Sequence, residues 1–122
     1  MRPSALLAAA LLLLLPGCDG KPAASARAFG GDPARGAAEI VAVGCGACHR
    51  IPGITGANAL VGPPLDRMAQ RVYVAGLLRN TPDNMITWLL DPQKIVPGNA
   101  MPNMHLKDQQ ARDIAAYLYT LE

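Results

Sequence analysis

The sequence predicts an all-α domain with three main helices, and three observations carry the prediction. Asp32-Pro33 and Thr81-Pro82 each set a capping side chain ahead of a proline, the mark of a helix start. Near the C-terminus Ile114, Tyr117, Leu118 and Leu121 recur at helical spacing and make one apolar stripe. No βαβ pattern runs through the chain.

At 122 residues the chain holds one domain at most. Aromatic residues make up 4% of it, with one Trp and one Phe, so a core of side chains alone would be thin. A large flat apolar group bound inside would fill that deficit. The formal charge is +2 and no basic run occurs, which removes nucleic acid as a partner.

The first 17 residues form an export signal. Arg2 is a minimal charged start, and Ala5 to Leu15 is an apolar run too short for a comfortable membrane span. Leu15-Pro16-Gly17-Cys18 resembles the lipobox of bacterial lipoproteins, which makes Cys18 the lipidated first residue of the mature protein. A soluble periplasmic protein cut nearby is the alternative. Residues 18–31, rich in Ala, Gly, Ser and Pro, are expected to form a flexible tether. A dozen such residues reach about 20 Å. The domain proper is expected to span 32–122.

Its first helix follows Asp32, with Gly36, Ile40 and Val43 at helical spacing. A glycine inside a helix costs about 0.5–1 kcal/mol against alanine, a cost offset where another helix must come close. Next comes Cys45-Gly46-Ala47-Cys48-His49. Two cysteines two residues apart with a histidine directly after form a c-type haem attachment site. The spacing lets two thiols add across the two vinyl groups of one haem and sets His49 under the iron as proximal ligand. A zinc site needs more Cys or His than His105 and Cys18 supply. A redox dithiol of the thioredoxin type wants the βαβ pattern that is missing.

A Gly- and Pro-rich loop follows, ending in Gly62-Pro63-Pro64-Leu65. A proline carbonyl here is placed to accept the His49 Nδ1–H, fixing the tautomer. Leu65 then packs on the haem. Arg71 and Tyr73 are candidates to hydrogen-bond a propionate, with solvated side chains as the plain alternative. Thr81-Pro82 opens a short helix in which Met85, Trp88 and Leu89 share a face, and Asp91-Pro92 ends it.

Lys94 to Leu106 is the second informative stretch. A haem held by one histidine needs a sixth ligand or an open site. Met101 lies near Pro97 and directly before Pro102, in a polar loop where core packing explains it poorly. A thioether there is a soft, neutral ligand that raises the potential. Met104 and His105 are rivals, and His105 would give bis-histidine ligation. In the last helix Lys107 stands where Ser or Thr is the usual cap, and Asp108 in the first turn partly compensates.

In order and spacing these motifs resemble the small bacterial class I cytochromes c over 31–122. The matching residues are Gly36 and Ile40, Cys45, Cys48 and His49, Gly62-Pro63 with Leu65, Asp91-Pro92-Gln93, Pro97-Gly98 with Met101-Pro102, and Ala116-Tyr117-Leu118. The resemblance implies the cytochrome c fold, three main helices around one covalent haem c. It implies Met101 as distal ligand, Pro63 as the carbonyl facing His49, a crossing of the Gly36 and Tyr117 faces, and Trp88 and Leu89 near the distal side. The run 75–84, with Trp88 and Asp91-Pro92-Gln93, is similar to the cytochrome c domains fused to subunit II of caa3-type oxidases, which implies a terminal oxidase as acceptor.

The expected function is that of a membrane-tethered monohaem carrier of single electrons in a respiratory chain. It is a monomer on the periplasmic side of a bacterial membrane, with redox proteins as partners and no enzymatic activity of its own. The alternatives are a haem sensor or small peroxidase with an open distal site, and a fixed redox subunit of an enzyme complex.

Overall fold

The computed structural model describes residues 29–122. The expected export signal, Cys18 and the tether up to residue 28 lie outside the described residues. Among the described residues four α-helices follow in order: α1 (Pro33–Val43), α2 (Pro82–Leu90), α3 (Pro92–Ile95) and α4 (Asp108–Leu118). Among the described residues the sheet is limited to a two-stranded antiparallel ribbon, β1 (Tyr73–Val74) with β2 (Leu78–Arg79). The all-α expectation holds.

Local chemistry sets the helix ends. Asp32 is extended, and its Oδ1 accepts from the N–H groups of Ala34 and Arg35 ahead of Pro33. Gly44, at φ 86°, closes α1 in the left-handed conformation that glycine adopts without a Cβ penalty. Thr81 Oγ1 accepts from the Asn84 N–H at 3.3 Å and starts α2. Lys107 gives α4 no side-chain cap. Gln110 compensates, its Oε1 accepting the Lys107 N–H at 3.0 Å while its Nε2 reaches Glu39 of α1.

Helices α1 and α4 form the central crossing. A Cβ on Gly36 would lie 2.0 Å from the Asp113 carbonyl oxygen and 3.0 Å from Tyr117 Cβ, so only glycine lets the backbones meet. Asp113, 3% exposed, pins the crossing. Its carboxylate accepts from the Asp32 N–H at 2.7 Å, from Arg35 Nε at 2.8 Å and Nη2 at 3.0 Å, and from Gln109 Nε2 at 2.9 Å. Ile40 of α1, Met85, Ile86 and Leu89 of α2, and Ile114 and Leu118 of α4 fill the core.

Three features depart from the sequence reading. Phe29, expected in the tether, is fully buried with its ring edge-on to Tyr119 at 4.2 Å, so the packed domain includes residues ahead of 32. Asp91-Pro92 ends α2 as expected but also starts α3: the Asp91 N–H donates to Thr87 O, while its Oδ1 accepts from the Lys94 N–H. The ribbon turns through Ala75 and Gly76, both at positive φ, a conformation that alanine takes only at a cost.

Candidate functional site

The Cys-x-x-Cys-His segment begins where α1 stops. The left-handed turn at Gly44 leads into one 3-10 turn, Cys45–Ala47. The N–H groups of Cys48 and His49 both donate to the Cys45 carbonyl, at 3.2 and 3.0 Å. This winds the two cysteines and the histidine into a single compact turn. Gly46 keeps the turn tight, because a Cβ there would meet Ala57 Cβ at 2.9 Å. Cys45 is half-buried, Cys48 is exposed, and both thiols are free. Burial pushes the Cys45 thiol up.

The loop after the motif folds back onto it. Gly62 N–H donates to Cys48 O at 2.7 Å and Leu65 N–H to Arg50 O at 2.9 Å. Between these clamps the Pro63 carbonyl oxygen lies 2.7 Å from His49 Nδ1. A carbonyl only accepts, so Nδ1 carries the hydrogen, and in the neutral ring this leaves the lone pair on Nε2. The imidazole is therefore held in the tautomer a metal ligand needs. Gly62 lies against the ring: a Cβ there would stand 2.5 Å from His49 Cε1. The sequence reading named Pro63 but saw no steric role for Gly62, and the only signal was a glycine directly before the proline.

Met101 is half-buried and packs against the same core as Cys45, Leu65 and Trp88. Its loop is fastened by two carboxamides that the sequence reading gave no role. Gln93 Nε2 donates to the carbonyls of Asn99 and Met101, and its Oε1 accepts from Gly98 N–H. Asn99 Nδ2 donates to Pro92 O and Val96 O, and its Oδ1 accepts from Met101 N–H. The available signal was an amide side chain beside each Pro or Pro-Gly step. Of the rivals, Met104 is half-buried and His105 exposed. His105 sits at φ 53°, its N–H donating to Asn103 Oδ1.

The remaining candidates separate. Leu89 is buried, and Leu65 and Trp88 are half-buried against the core. Arg71 is anchored through Nη2 to the carbonyls of Pro64 and Asp66, which ties it to the loop that holds His49. Tyr73 is exposed on β1, and its hydroxyl makes no hydrogen bond among the described residues. A wide cleft of about 920 Å³ is lined by Pro52, Pro63, Arg71 and Leu121 but by neither cysteine, His49 nor Met101. Arg50 bridges to Asp66 at the rim of that cleft, and this hydrogen bond holds the Asp66 carboxyl below its ordinary range. Among the described residues no group of three or more His, Cys, Asp or Glu is placed to hold a metal ion, so the zinc alternative finds no second half there.

The donor set fits a covalent haem: two free thiols for its vinyl groups, an imidazole with a free Nε2, and a thioether on a fastened loop. A cytochrome c family model matches residues 33–122. Over 81 residues, 64% of this chain, the sequence is 37% identical to cytochrome c oxidase subunit 2 of Alkalihalophilus pseudofirmus. It is 30% identical over 82 residues to the protein of the same name from a Bacillus species. The chain spans 22% and 23% of the length of these two relatives. No solved structure matches it. The matched region takes in α1, the paired cysteines and His49, the Met101 loop and α4, and on that evidence the chain belongs to the cytochrome c family, as a class I member with one covalently bound haem c and its iron.

Proposed function

We propose that the chain is a membrane-tethered monohaem cytochrome that carries single electrons in a respiratory chain, with a terminal oxidase as acceptor. The observation that carries this reading is the 2.7 Å contact between His49 Nδ1 and the Pro63 carbonyl, which leaves Nε2 free as proximal ligand. The bound haem supplies one Fe(III)/Fe(II) couple. Cys45 and Cys48 would hold the haem by two thioether bonds, and Met101 would supply a sulfur ligand to its iron. Leu65, Trp88 and Leu89 keep water from the ring, and Arg71 and Tyr73 hydrogen-bond the propionates. A His/Met pair on two fastened loops moves little between oxidation states, which suits electron transfer rather than catalysis. An open site for a sensor or peroxidase finds less support, because both loops are built to hold their side chains still.

Lipidation of Cys18 places the domain on the periplasmic side of a bacterial membrane. Among the described residues no helix is long and apolar enough to cross a membrane. One observation favours a second reading, a fixed redox subunit: the relatives named above are themselves oxidase subunits. Purification from gently solubilised membranes separates the two. A free carrier leaves the oxidase during washing, whereas a subunit stays in fixed proportion.

The first test is the absorption spectrum of the holoprotein and of Met101→Ala. The expected parent spectrum is low-spin with the weak far-red iron–thioether band, and the variant loses that band and binds carbon monoxide. A parent that lacks the band and binds carbon monoxide freely overturns the carrier reading. A low-spin spectrum unchanged by the substitution moves the ligand to His105 or Met104.

A further inference from the structure

Both backbone polar groups of Met101 are held by side chains. Asn99 Oδ1 accepts its N–H at 2.8 Å, and Gln93 Nε2 donates to its carbonyl at 2.8 Å. Each carboxamide has two donor hydrogens and an acceptor oxygen, and in both amides the two hydrogens and the oxygen are all engaged. Gln93 Nε2 also reaches Asn99 O at 2.9 Å, while its Oε1 takes Gly98 N–H at 3.0 Å. Asn99 Nδ2 donates to Pro92 O at 3.0 Å and to Val96 O at 2.7 Å, the first residue of α3 and its C-cap. Helix α3 is in turn seated by Pro92, one of the largest fully buried side chains.

We propose that Gln93 and Asn99 are the positioning residues for Met101, fixing its backbone so that the thioether is retained as the distal ligand. The proposal rests on the reading of Met101 as that ligand. A neutral thioether binds ferric iron weakly, because soft sulfur favours the ferrous state. Its retention therefore depends on how little freedom the loop loses on binding, and a loop already ordered loses little. The role requires amides. A carboxylate only accepts, so Glu at 93 would turn an oxygen towards the two carbonyls that Gln93 now serves.

The test is a titration of ferric holoprotein with imidazole at fixed pH, read by loss of the far-red band. Parent, Gln93→Leu, Asn99→Ala and Tyr119→Phe are compared, with thermal unfolding recorded for each. In Gln93→Leu and Asn99→Ala imidazole binds about tenfold more tightly than in the parent, one lost hydrogen bond being enough for that factor. Tyr119→Phe, which gives up the Tyr119 hydroxyl bonds to Asn80 far along the chain from the loop, lowers the melting temperature and leaves the imidazole affinity at the parent value. Imidazole affinities within twofold of the parent in the Gln93 and Asn99 variants overturn the proposal. So does an equal gain in Tyr119→Phe, which would make the effect one of general stability. Where Gln93→Leu yields no holoprotein, Asn99→Ala decides alone. Failure of the ligand reading itself is seen separately, as a far-red band that is absent from the parent or survives Met101→Ala.

Discussion

His49 Nδ1 and the Pro63 carbonyl oxygen stand 2.7 Å apart, with Gly62 pressed against the same imidazole. Proline at 63 brings its carbonyl to the ring, and glycine at 62 leaves room for the ring to be there. Gly62→Ala is therefore expected to displace the imidazole or the loop, since its Cβ would lie 2.5 Å from Cε1. Overpacking of this kind costs about 1–3 kcal/mol. The measurement is the yield and spin state of the holoprotein: less haem incorporated, and a rise in high-spin ferric signal in what remains.

Gly36→Ala attacks the fold rather than the ligands. The new Cβ would sit 2.0 Å from backbone, the Asp113 carbonyl, with no flexible side chain to yield. Separation of α1 from α4 is expected, with a loss at or above the upper end of the usual overpacking range, about 3 kcal/mol. Urea unfolding of the holoprotein reads this as a lower midpoint. A midpoint equal to the parent's would mean that the crossing is looser than the contact requires.

Asp113 makes stability depend on acid. The Arg35 guanidinium, helped by the Asp32 N–H and the Gln109 amide, holds its carboxyl below the ordinary carboxylate range. The folded pKa is thus lower than the unfolded one, about 3.9. Its contribution is fully present above that value and is lost as pH falls through the folded pKa. The expected result is a melting temperature that drops below about pH 4. In Asp113→Asn the acid limb is flatter and stability at neutral pH is lower by about 2 kcal/mol, the scale of hydrogen bonds to a charged acceptor.

The anchor is tested without touching the domain. Cys18→Ser should leave haem attachment at Cys45 and Cys48 intact and move the protein from the membrane fraction to the soluble one. Membrane retention of the variant would count against lipidation.

Much of this molecule was legible in its sequence where the signal is local. The caps at Asp32 and Thr81 act within three residues, and the structure places both as expected. That a proline carbonyl would meet His49 was legible in the Pro-rich loop, and that it is Pro63 came from the family resemblance. The Gly36 crossing came from the family resemblance. What escaped reading depends on geometry that only the fold supplies. Each strand of the ribbon is two residues long, too short for alternation to register. Phe29 sits in an Ala- and Gly-rich run and is recognised as core only once Tyr119 is beside it. Gln93 and Asn99 look like solvated loop residues until the turn brings four carbonyls within reach of their amides.

Asp91 belongs to two helices at once, closing α2 with its N–H and opening α3 with its carboxylate. Asp91 is the single residue between them, and both its N–H and its carboxylate are engaged. The helix carrying Trp88 and Leu89 and the loop carrying Met101 are thereby coupled through one doubly bonded residue, and they are expected to open as one unit. In native-state hydrogen exchange the amides of Asp91, Val96, Gly98 and Met101 should share a single opening free energy.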